Sequence, residues 1–356
     1  MESVTEPIRV RSIPDPDAVV NAYVRQLYAA IRTPRFELVT GGGRSFRWAL
    51  AWHRRLDVLH VHWPRYEYAR DGLLATLRAA ARFLLFLFLL KTGRTKIVYT
   101  LHNLWPHDTP KGRLEGWVRR QFIRRIADAV LVNFEGSRAD LARHYGRTER
   151  VFCVPIPTYR GYYADTVQRA EARARLAIAE DAFVYLFFGG VAPYKGIESA
   201  LNAFAREAGP RDRLVIAGDP VNAAYAESLR ARATDPRVLL DLRHVPDDEV
   251  QVFFRAADCL VAPYTRIYCS STLLLAMTFE LPVVMPRVAM VAEVAGREFS
   301  ALFDPVDPDG VAKAFRAVRA LDPASARDAI ARENARYEPG RIAALFADTL
   351  ETIVRS

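Results

Sequence analysis

Short apolar runs, each followed by a longer stretch with helical spacing, recur along the whole chain. In the first half the runs predict strands at 8–13, 36–39, 57–61, 96–101 and 128–132. In the second half they predict strands at 183–188, 213–217, 238–242, 258–262 and 283–285. Between the runs, apolar residues three or four positions apart predict helices that connect parallel strands. The sequence therefore predicts an α/β fold with two parallel, doubly wound, Rossmann-like sheets.

The two series of strands are separated by residues 151–163, a segment rich in Pro and Tyr that predicts an interdomain linker. We expect one domain over residues 1–158 and a second over residues 159–335. The last residues, 336–356, include a break at Pro339 and are otherwise helical in pattern. We expect this C-terminal segment to pack back on the first domain.

One stretch of the second domain, residues 264–286, carries the clearest chemistry. Three hydroxyl residues, Ser270, Ser271 and Thr272, follow a predicted strand and precede the apolar run 273–277. Hydroxyl residues in this position predict the start of a helix. The unpaired N–H groups and the dipole of a helix start favour an anion, most often a phosphate. An ordinary capped core helix fits the stretch equally well.

Two further loops of that domain follow predicted strands. Residues 187–196 include Gly189, Gly190 and Lys195, and residues 218–220 follow the run RLVIA. Glycines allow a ligand to approach the backbone, and a lysine at a helix start supplies a point charge. Because the carboxyl ends of parallel strands share one edge of a sheet, three such loops in order predict a site for an anionic ligand.

The charge of the chain is uneven. Residues 1–165 contain 27 Lys and Arg against 15 Asp and Glu, whereas residues 166–356 contain 23 against 26. A basic face can meet nucleic acid, an anionic membrane or a phosphorylated substrate. The three cysteines form no paired framework, which favours a reducing, cytoplasmic setting. We expect no signal peptide, since the first residues lack a basic region followed by an apolar core.

Two segments of the basic half bear on membrane contact. Residues 72–90 end in a wholly apolar run, but Arg78 and Arg82 interrupt the stretch and the run is too short to span a bilayer. Two interpretations stay open, a helix buried on the sheet and an interfacial helix that dips its Phe and Leu side chains into a membrane. The basic segment 113–125, with arginine pairs at 119–120 and 124–125, strengthens the second interpretation.

The order of the loops resembles the donor domain of two-domain nucleotide-sugar glycosyltransferases, the GT-B architecture, in which the domains face each other across a cleft. FFGGVAPYKGIESALNAF is similar to the strand, turn and Lys-Gly helix start of family 4 members. HVPDDEVQVFFRAADCLVAPY and LLLAMTFELPVVMP are similar to the two blocks that follow. The chain departs from that pattern at Gly190, where an arginine is expected, and at Ile267 and Leu275, where glutamates flank the sugar and the ribose.

Segments of both halves, DVLHVHWPRYEY, TLHNLWPHD, LVIAGDP and APYTRIYCSSTLLLA, resemble the GDP-mannose:glycolipid 4-β-mannosyltransferases of xanthan-type exopolysaccharide biosynthesis. The resemblance implies an enzyme that transfers mannose from GDP-mannose, with inversion, to a polyprenyl-diphosphate-linked oligosaccharide. It implies a cytoplasmic, peripheral position on the inner face of the plasma membrane, with an anionic membrane surface as a further partner. We expect no cofactor, no metal and no nucleic acid.

An inverting transfer needs a base for the acceptor hydroxyl and groups that stabilise the departing nucleotide diphosphate. The expected donor-binding residues are Gly189, Gly190, Lys195, His244, Val245, Tyr264, Ser270, Ser271 and Thr272. The expected acceptor-binding residues are Asn21, Tyr23, His62, Trp63 and His107. For the base we favour Asp108, with His102 as its rival. A carboxylate suits deprotonation of a sugar hydroxyl if burial raises its pKa, and a histidine at a strand end titrates near neutrality.

Two Asp-Pro-Asp triplets, at 15–17 and 307–309, imitate a metal-binding triplet, but proline in a turn predicts loops or helix caps. The main alternative function is a retaining family 4-type transferase that uses a UDP-sugar or another nucleotide sugar. A sugar-nucleotide epimerase is less favoured, because it has no need of a basic, membrane-facing domain. A nucleic-acid-binding protein is weaker still, since the arginine clusters lack a recognised motif.

Overall fold

The computed structural model of the chain describes residues 6–18, 21–29, 31–41, 45–104 and 113–356, with side chains from residue 115 onward in the last range. The chain divides into two compact units. Unit 1 contains residues 1–156 and 339–356, and unit 2 contains residues 157–338.

The described strands are β1 Ile8–Ile13, β2 Phe36–Leu38, β3 Val58–Val61, β4 Lys96–Leu101, β5 Ala129–Val132, β6 Val151–Cys153, β7 Val184–Phe188, β8 Arg213–Ala217, β9 Val238–Asp241, β10 Cys259–Val261, β11 Val283–Pro286 and β12 Ser300–Phe303. The described α-helices are α1 Ala22–Ala29, α2 Phe46–Trp52, α3 Arg65–Tyr68, α4 Leu73–Thr92, α5 Arg113–Gln121, α6 Gly136–Tyr145, α7 Arg169–Arg175, α8 Ile197–Glu207, α9 Ala223–Arg232, α10 Val250–Ala256, α11 Ser271–Thr278, α12 Ala289–Val294, α13 Gly310–Arg319, α14 Pro323–Asn334 and α15 Pro339–Arg355.

The sheet of unit 1 has the strand order β2-β1-β3-β4-β5-β6, and each neighbouring pair is parallel. Its central strands β3 and β5, with the sequences VLHV and AVLV, are buried throughout, because helices cover both faces of such a sheet. The order reverses between β1 and β3. In the register, Val61 is opposite both Ile13 and Tyr99. Residues that follow β1, β3 and β4 therefore emerge at one edge of the sheet.

The sheet of unit 2 has the order β12-β11-β10-β7-β8-β9 and is also parallel. Here the order reverses between β7 and β10. Ligands of doubly wound sheets bind beyond the carboxyl ends of the strands at such a reversal. The predicted α/β fold with two parallel, doubly wound sheets is confirmed.

Two details of the sequence prediction are corrected by the structure. The predicted linker was wrong at its start, since Val151–Cys153 forms β6 and pairs with β5. The strand β12 was not predicted. Both strands were missed because they are short and end next to proline-containing loops. Helix α1 begins at Ala22, because the Asn21 side chain accepts the N–H of Val24 at 3.3 Å and caps the helix.

The C-terminal helix α15 contributes to the core of unit 1. The ring of Phe346 lies 5.8 Å from that of Tyr28 and 5.7 Å from that of His60, measured between centroids. The Arg35 guanidinium also pairs with Asp348 and Glu351 on the same helix. Aromatic packing thus connects α15 to α1 and β3.

Helix α4 packs one face against its own unit and leaves the opposite face exposed. Six of its residues are buried, Phe83, Phe86, Leu87 and Leu90 among them, whereas Leu74 and Phe88 are exposed. Among the described residues, α4 is the one helix that is long and apolar enough to cross a bilayer. The core helix of a soluble protein can be as long and as apolar, so this is weak evidence for a membrane span.

Unit 2 contains a buried arginine whose charge is balanced by one carboxylate. The Arg173 side chain is fully buried, and its guanidinium lies 2.9 Å from Asp258 Oδ2. The same oxygen accepts the N–H of Val184 at 2.7 Å. Burial lowers the pKa of Arg173. Asp258 therefore fixes α7 to the start of β7.

We expect Asp258→Asn to destabilise unit 2 by about 3 to 5 kcal/mol, because a buried guanidinium would lose its counter-charge. All five tryptophans lie in the sequence of unit 1, so tryptophan fluorescence follows unit 1 and circular dichroism follows both units. The variant should lower the midpoint of the transition that is seen by circular dichroism but not by tryptophan fluorescence, because that transition is the unfolding of unit 2. Asp181→Asn, which breaks an exposed ion pair with Arg211, is the matched control and should leave that transition in place. Equal shifts for the two variants would contradict a structural role for Asp258.

Candidate functional site

The loops after β7, β8 and β10 meet through backbone contacts that leave no room for side chains. A Cβ on Gly218 would lie 1.9 Å from the carbonyl oxygen of Gly189, and a Cβ on Gly196 would lie 2.0 Å from that of Pro263. Gly189, Gly196 and Gly218 also have positive φ angles, of 118°, 68° and 144°, which favour glycine. The three loops that the sequence singled out are therefore in direct contact.

Hydrogen bonds hold the same three loops together. The Val191 N–H donates to the carbonyl of Asp219 at 2.8 Å, and the Thr265 N–H donates to that of Tyr194 at 3.0 Å. Gly190 is different, since nothing lies within 4 Å of a Cβ built there. Packing therefore does not require a glycine at residue 190. The space that an arginine side chain would enter at this position is open.

Lys195 places its ammonium group between two aromatic rings. Its Nζ lies 4.0 Å from the ring centroid of Tyr264 and 5.2 Å from that of Tyr194, distances typical of cation–π contacts. Burial lowers the pKa of Lys195, but the two tyrosines outweigh it and raise the pKa above its ordinary value. Lys195 is therefore positively charged at neutral pH.

Helix α11 begins beside that lysine. The buried Ser270 is the N-cap, and its Oγ accepts the N–H of Leu273 at 3.2 Å. The Tyr264 hydroxyl, on the ring that Lys195 contacts, donates to Thr272 Oγ1 at 3.2 Å. Ser271 is exposed at the first turn. A cation, a helix start and a hydroxyl pair thus lie together, which suits a phosphate.

The structure does not bring every predicted donor residue into this cluster. His244 is exposed and Val245 is buried, and both follow β9 at the edge of the sheet. Among the described residues, no hydrogen bond or ring contact joins His244 to Lys195 or Tyr264. Leu275 lies in the buried interior of α11. Where family 4 members have a glutamate, this helix therefore contributes to the core.

In unit 1, a second cluster forms where β3 and β4 end. The rings of His62 and His102 stack with centroids 5.2 Å apart, and Trp63 stacks on His102 at 4.6 Å. Tyr23 of α1 meets His102 edge-on at 5.6 Å. Of the predicted acceptor residues, Tyr23, His62 and Trp63 are brought together around His102. Asn21 is the exposed cap of α1, and the predicted residues His107 and Asp108 lie outside the described residues.

The cluster extends inward as a chain of hydrogen bonds that the sequence analysis missed. The Tyr28 hydroxyl lies 2.6 Å from His60 Nδ1 and 3.3 Å from His62 Nε2. His60 Nε2 lies 2.7 Å from Thr100 Oγ1, and His62 Nδ1 lies 2.9 Å from His102 Nε2. One signal was present in the sequence, since residues 60 and 62 point to the same face of a strand. Nothing local identifies Tyr28 or Thr100 as their partners.

The three histidines of this cluster, His60, His62 and His102, are neutral at neutral pH. Burial lowers the pKa of His60 and of His102 to about 3, and burial with the neighbouring histidines lowers that of His62 well below its ordinary value. A charged imidazole would lose its hydration there without gaining a counter-ion. Each ring therefore has one N–H donor and one acceptor nitrogen.

The single hydroxyl hydrogen of Tyr28 allows two hydrogen-bond patterns. If Tyr28 donates to His60 Nδ1, its oxygen accepts from His62 Nε2, His62 Nδ1 accepts from His102 Nε2, and His102 Nδ1 is unprotonated. If Tyr28 donates to His62, every bond reverses and His102 Nδ1 carries the proton. The shorter Tyr28–His60 distance has the geometry of O–H donation, which favours the first pattern. In that pattern His102 can accept a proton from a hydroxyl.

Both Asp-Pro-Asp triplets use their carboxylates in local hydrogen bonds and ion pairs. Asp15 accepts the N–H groups of Asp17 and Gly41. Asp307 pairs with Lys313, and Asp309 pairs with Arg206. Within the part of the chain that the structure describes, no group of three His, Cys, Asp or Glu side chains is placed to hold a metal ion. Metal independence of the reaction stays a prediction.

Comparison with known proteins identifies the family of both units. Residues 168–336 match the family model described as glycosyl transferases group 1, and residues 2–157 match the glycosyl transferase 4-like domain. A GDP-mannose:glycolipid 4-beta-D-mannosyltransferase of Xanthomonas campestris is 31% identical over 81% of this chain and 77% of that protein. A D-inositol 3-phosphate glycosyltransferase of Streptomyces bingchenggensis is 32% identical over 48% of this chain and 42% of that protein.

Solved structures share the fold at low sequence identity. Anabaena HepE in complex with UDP-glucose has a TM-score of 0.75 at 16% identity and covers 97% of this chain and 100% of that one. The sucrose-phosphate synthase of Thermosynechococcus elongatus has a TM-score of 0.73 at 20% identity, with 96% and 97% covered. At these identities the likeness shows the fold alone.

The buried neutral histidines make unit 1 sensitive to acid. The unfolded chain binds protons near pH 6.5, whereas native His60 and His102 do so only near pH 3. Stability should therefore fall as the pH drops below 6.5, by about 2 kcal/mol for each histidine between pH 6.5 and pH 5. Urea unfolding at pH 7.5 and pH 5.0, followed by tryptophan fluorescence, measures this loss.

His60→Gln should remove about a third of the difference between the two pH values, because one of three such groups no longer titrates. The control His244→Gln replaces an exposed histidine of unit 2 and should leave the difference unchanged. A urea midpoint that stays constant between pH 7.5 and pH 5.0 would show that the histidines of the cluster do not remain neutral in the native state.

Proposed function

The chain belongs to the GT-B glycosyltransferases and is a hexosyltransferase, and we propose that it transfers mannose from GDP-mannose, with inversion, to a lipid-linked oligosaccharide in exopolysaccharide assembly. The observation that carries the proposal is the cluster of Lys195, Tyr264 and Thr272 at the start of α11. It joins a half-buried cation to a helix start at the strand-order reversal of unit 2. The name of the relative from Xanthomonas supports the GDP-mannose donor and the glycolipid acceptor.

In this proposal the nucleotide diphosphate leaves with help from fixed positive charge. Lys195 supplies the ammonium group, the N–H groups at the start of α11 supply the positive end of the helix dipole, and Ser271 and Thr272 supply hydroxyls. Gly189 and Gly190 allow the diphosphate to approach the loop, while Ser270 keeps the helix start in place. His244 and Val245 meet the nucleobase. No divalent metal takes part, so a chelator should leave activity intact.

The apolar residues at 267 and 275 favour the inverting reaction over the retaining family 4 reaction. Leu275 is buried and offers no carboxylate to the sugar, so the face of the donor that family 4 members contact with glutamates lacks that contact here. An inverting transfer needs only a base on the acceptor side. The anomeric configuration of the product, read by NMR, distinguishes the two reactions.

We propose Asp108 as the base, with His102 as the alternative. The acceptor sugar lies against Tyr23, His62, Trp63 and His107, with Asn21 at the margin. His102 has a specific argument of its own, since the Tyr28 hydrogen bonds leave its Nδ1 free of a proton in the favoured pattern. An aromatic wall of Trp63 and Tyr23 suits the apolar face of a sugar ring.

We further propose that unit 1 attaches peripherally to the cytoplasmic face of the plasma membrane. The support is the exposed apolar face of α4 in a half of the chain rich in arginine. Exposed Leu and Phe side chains on a helix, with arginines beside them, suit the boundary between acyl chains and anionic head groups. Nucleic acid is not a partner in this proposal.

We expect Lys195→Met to weaken binding of the nucleotide by about tenfold to a hundredfold, because a charge-assisted contact with the diphosphate is lost. The measurement is the increase in melting temperature caused by GDP, which grows with the ratio of ligand to Kd. Lys313→Met, at an exposed lysine of the same unit, is the control and should keep the wild-type increase. Stabilisation by UDP and not by GDP would rule out the mannosyl donor while leaving a glycosyltransferase.

We expect Asp108→Asn to keep the response to GDP and to lose turnover by about a thousandfold, the effect of removing a general base. Tyr28→Phe separates the two candidates. It removes the hydroxyl that orients His102, so it should lower kcat only if His102 is the base. If Asp108→Asn stays active while His102→Asn and Tyr28→Phe lose turnover at unchanged donor KM, the base is His102.

A further inference from the structure

A groove of about 710 Å³ runs along α4 in unit 1, between that helix and the segments of α2 and α3. Three arginines line it, Arg70, Arg78 and Arg82, together with one carboxylate, Glu67. Its other walls include the aromatic side chains of Phe46 and Tyr66. The formal charge of the lining is therefore +2, in a groove with aromatic walls.

We propose that this groove binds the diphosphate group of a lipid diphosphate, with the hydrocarbon chain lying along α4. The inference rests on the proposed function, since it assigns the place where the lipid-linked acceptor is held. It adds a binding site whose lining residues are different from those of the histidine cluster.

The first support is the state of the arginines. Arg78 and Arg82 lie one helical turn apart, and neither makes an ion pair with any residue that the structure describes. Arg70 is held in place, because its guanidinium donates to the carbonyls of Tyr66 and Ala69 at 3.0 and 2.7 Å. Exposed arginines are common on a helix whose solvent-facing side is polar. The solvent-facing side of α4 is mainly apolar, so Arg78 and Arg82 need another explanation.

The second support is the apolar stripe beside those arginines. Leu74, Leu77, Leu85 and Phe88 follow one another at spacings of three, eight and three residues on one side of α4, with exposed fractions of 69%, 42%, 47% and 63%. Ala81 fills the interval and is exposed as well. A stripe of exposed Leu and Phe next to unpaired guanidinium groups complements an amphiphile with an anionic head and a hydrocarbon tail.

The charge of the groove favours a diphosphate over an ordinary phospholipid. A phospholipid phosphodiester carries one negative charge, whereas a diphosphate that joins a lipid to a sugar carries two and has more oxygens for guanidinium N–H groups. Three arginines against one carboxylate match the larger charge. The acyl chains of a phospholipid would cover the apolar stripe, but its single phosphate charge would leave some of the guanidinium N–H groups without an anionic partner.

The third support is the short path from the groove to the reacting residues. Trp63, which stacks on His102, is separated from α3 by Pro64 alone. Tyr66 lies on α3 and Arg70 follows it, and both line the groove. A sugar attached to a diphosphate in the groove would therefore extend along α3 toward His102.

The test uses a lipid without sugar, so that it does not depend on transfer. Vesicles of phosphatidylcholine with a small fraction of farnesyl diphosphate should bind the full-length protein at ~0.15 M salt, a condition that screens distant charges. The double variant Arg78→Gln/Arg82→Gln should bind them about tenfold to a hundredfold more weakly. The control Arg54→Gln/Arg55→Gln makes the same change of charge at exposed arginines that do not line the groove. It should bind within about twofold of the wild type.

A second pair of variants separates the tail from the head. Leu85→Ser/Phe88→Ser should weaken vesicle binding and leave the thermal shift with inorganic pyrophosphate unchanged, whereas the arginine variant should weaken both. Equal binding to phosphatidylglycerol vesicles of the same charge, or equal losses for the two arginine pairs, would overturn the proposal in favour of a general basic surface. Loss of the GDP response with intact vesicle binding would count against the proposed function and leave the groove standing.

Discussion

The loops that follow two neighbouring parallel strands must diverge where the strand order reverses, and in each unit of this enzyme a cluster of polar side chains lies at that point. In unit 2 the strands are β7 and β10, and the loops that follow them bring Lys195 against Tyr264. In unit 1 they are β1 and β3, and the next strand, β4, adds His102 beside His62. The chemistry of both clusters depends on strand order before it depends on any single residue.

The two clusters solve opposite electrostatic problems. Lys195 remains charged because two tyrosine rings face its ammonium group, and a bound diphosphate would add the missing counter-charge. The histidines of unit 1 are held neutral, since burial offers them hydrogen bonds but no carboxylate among their described partners. A chain of neutral donors and acceptors determines which nitrogen of His102 carries a proton. This suits the proposed contact of His102 with a hydroxyl group of the acceptor.

The sequence predicted the fold and the three loops that meet in unit 2, because both depend on local patterns. Alternating apolar runs mark the strands, and the serines before an apolar run mark the start of α11, which the structure places at Ser271. The partners of the histidines could not be predicted this way. Tyr28 and Thr100 reach His60 from segments distant in sequence, and no spacing rule selects them. Short edge strands such as β6 fail for another reason, since three residues carry too little periodicity.

Helix α4 shows why composition alone left two interpretations open. Its apolar residues surround the whole helix, which is typical of a buried helix, yet the structure buries only one side of it. The side against the sheet accounts for Phe83, Phe86 and Leu90, and the exposed leucines need a different explanation. Removing them from water would stabilise the protein by roughly 1.5 to 3 kcal/mol for each large side chain fully covered. In the proposed attachment to a membrane, the lipid would supply that cover, and the arginines along the border would fix the depth to which the helix enters, because their guanidinium groups would stay with the phosphates.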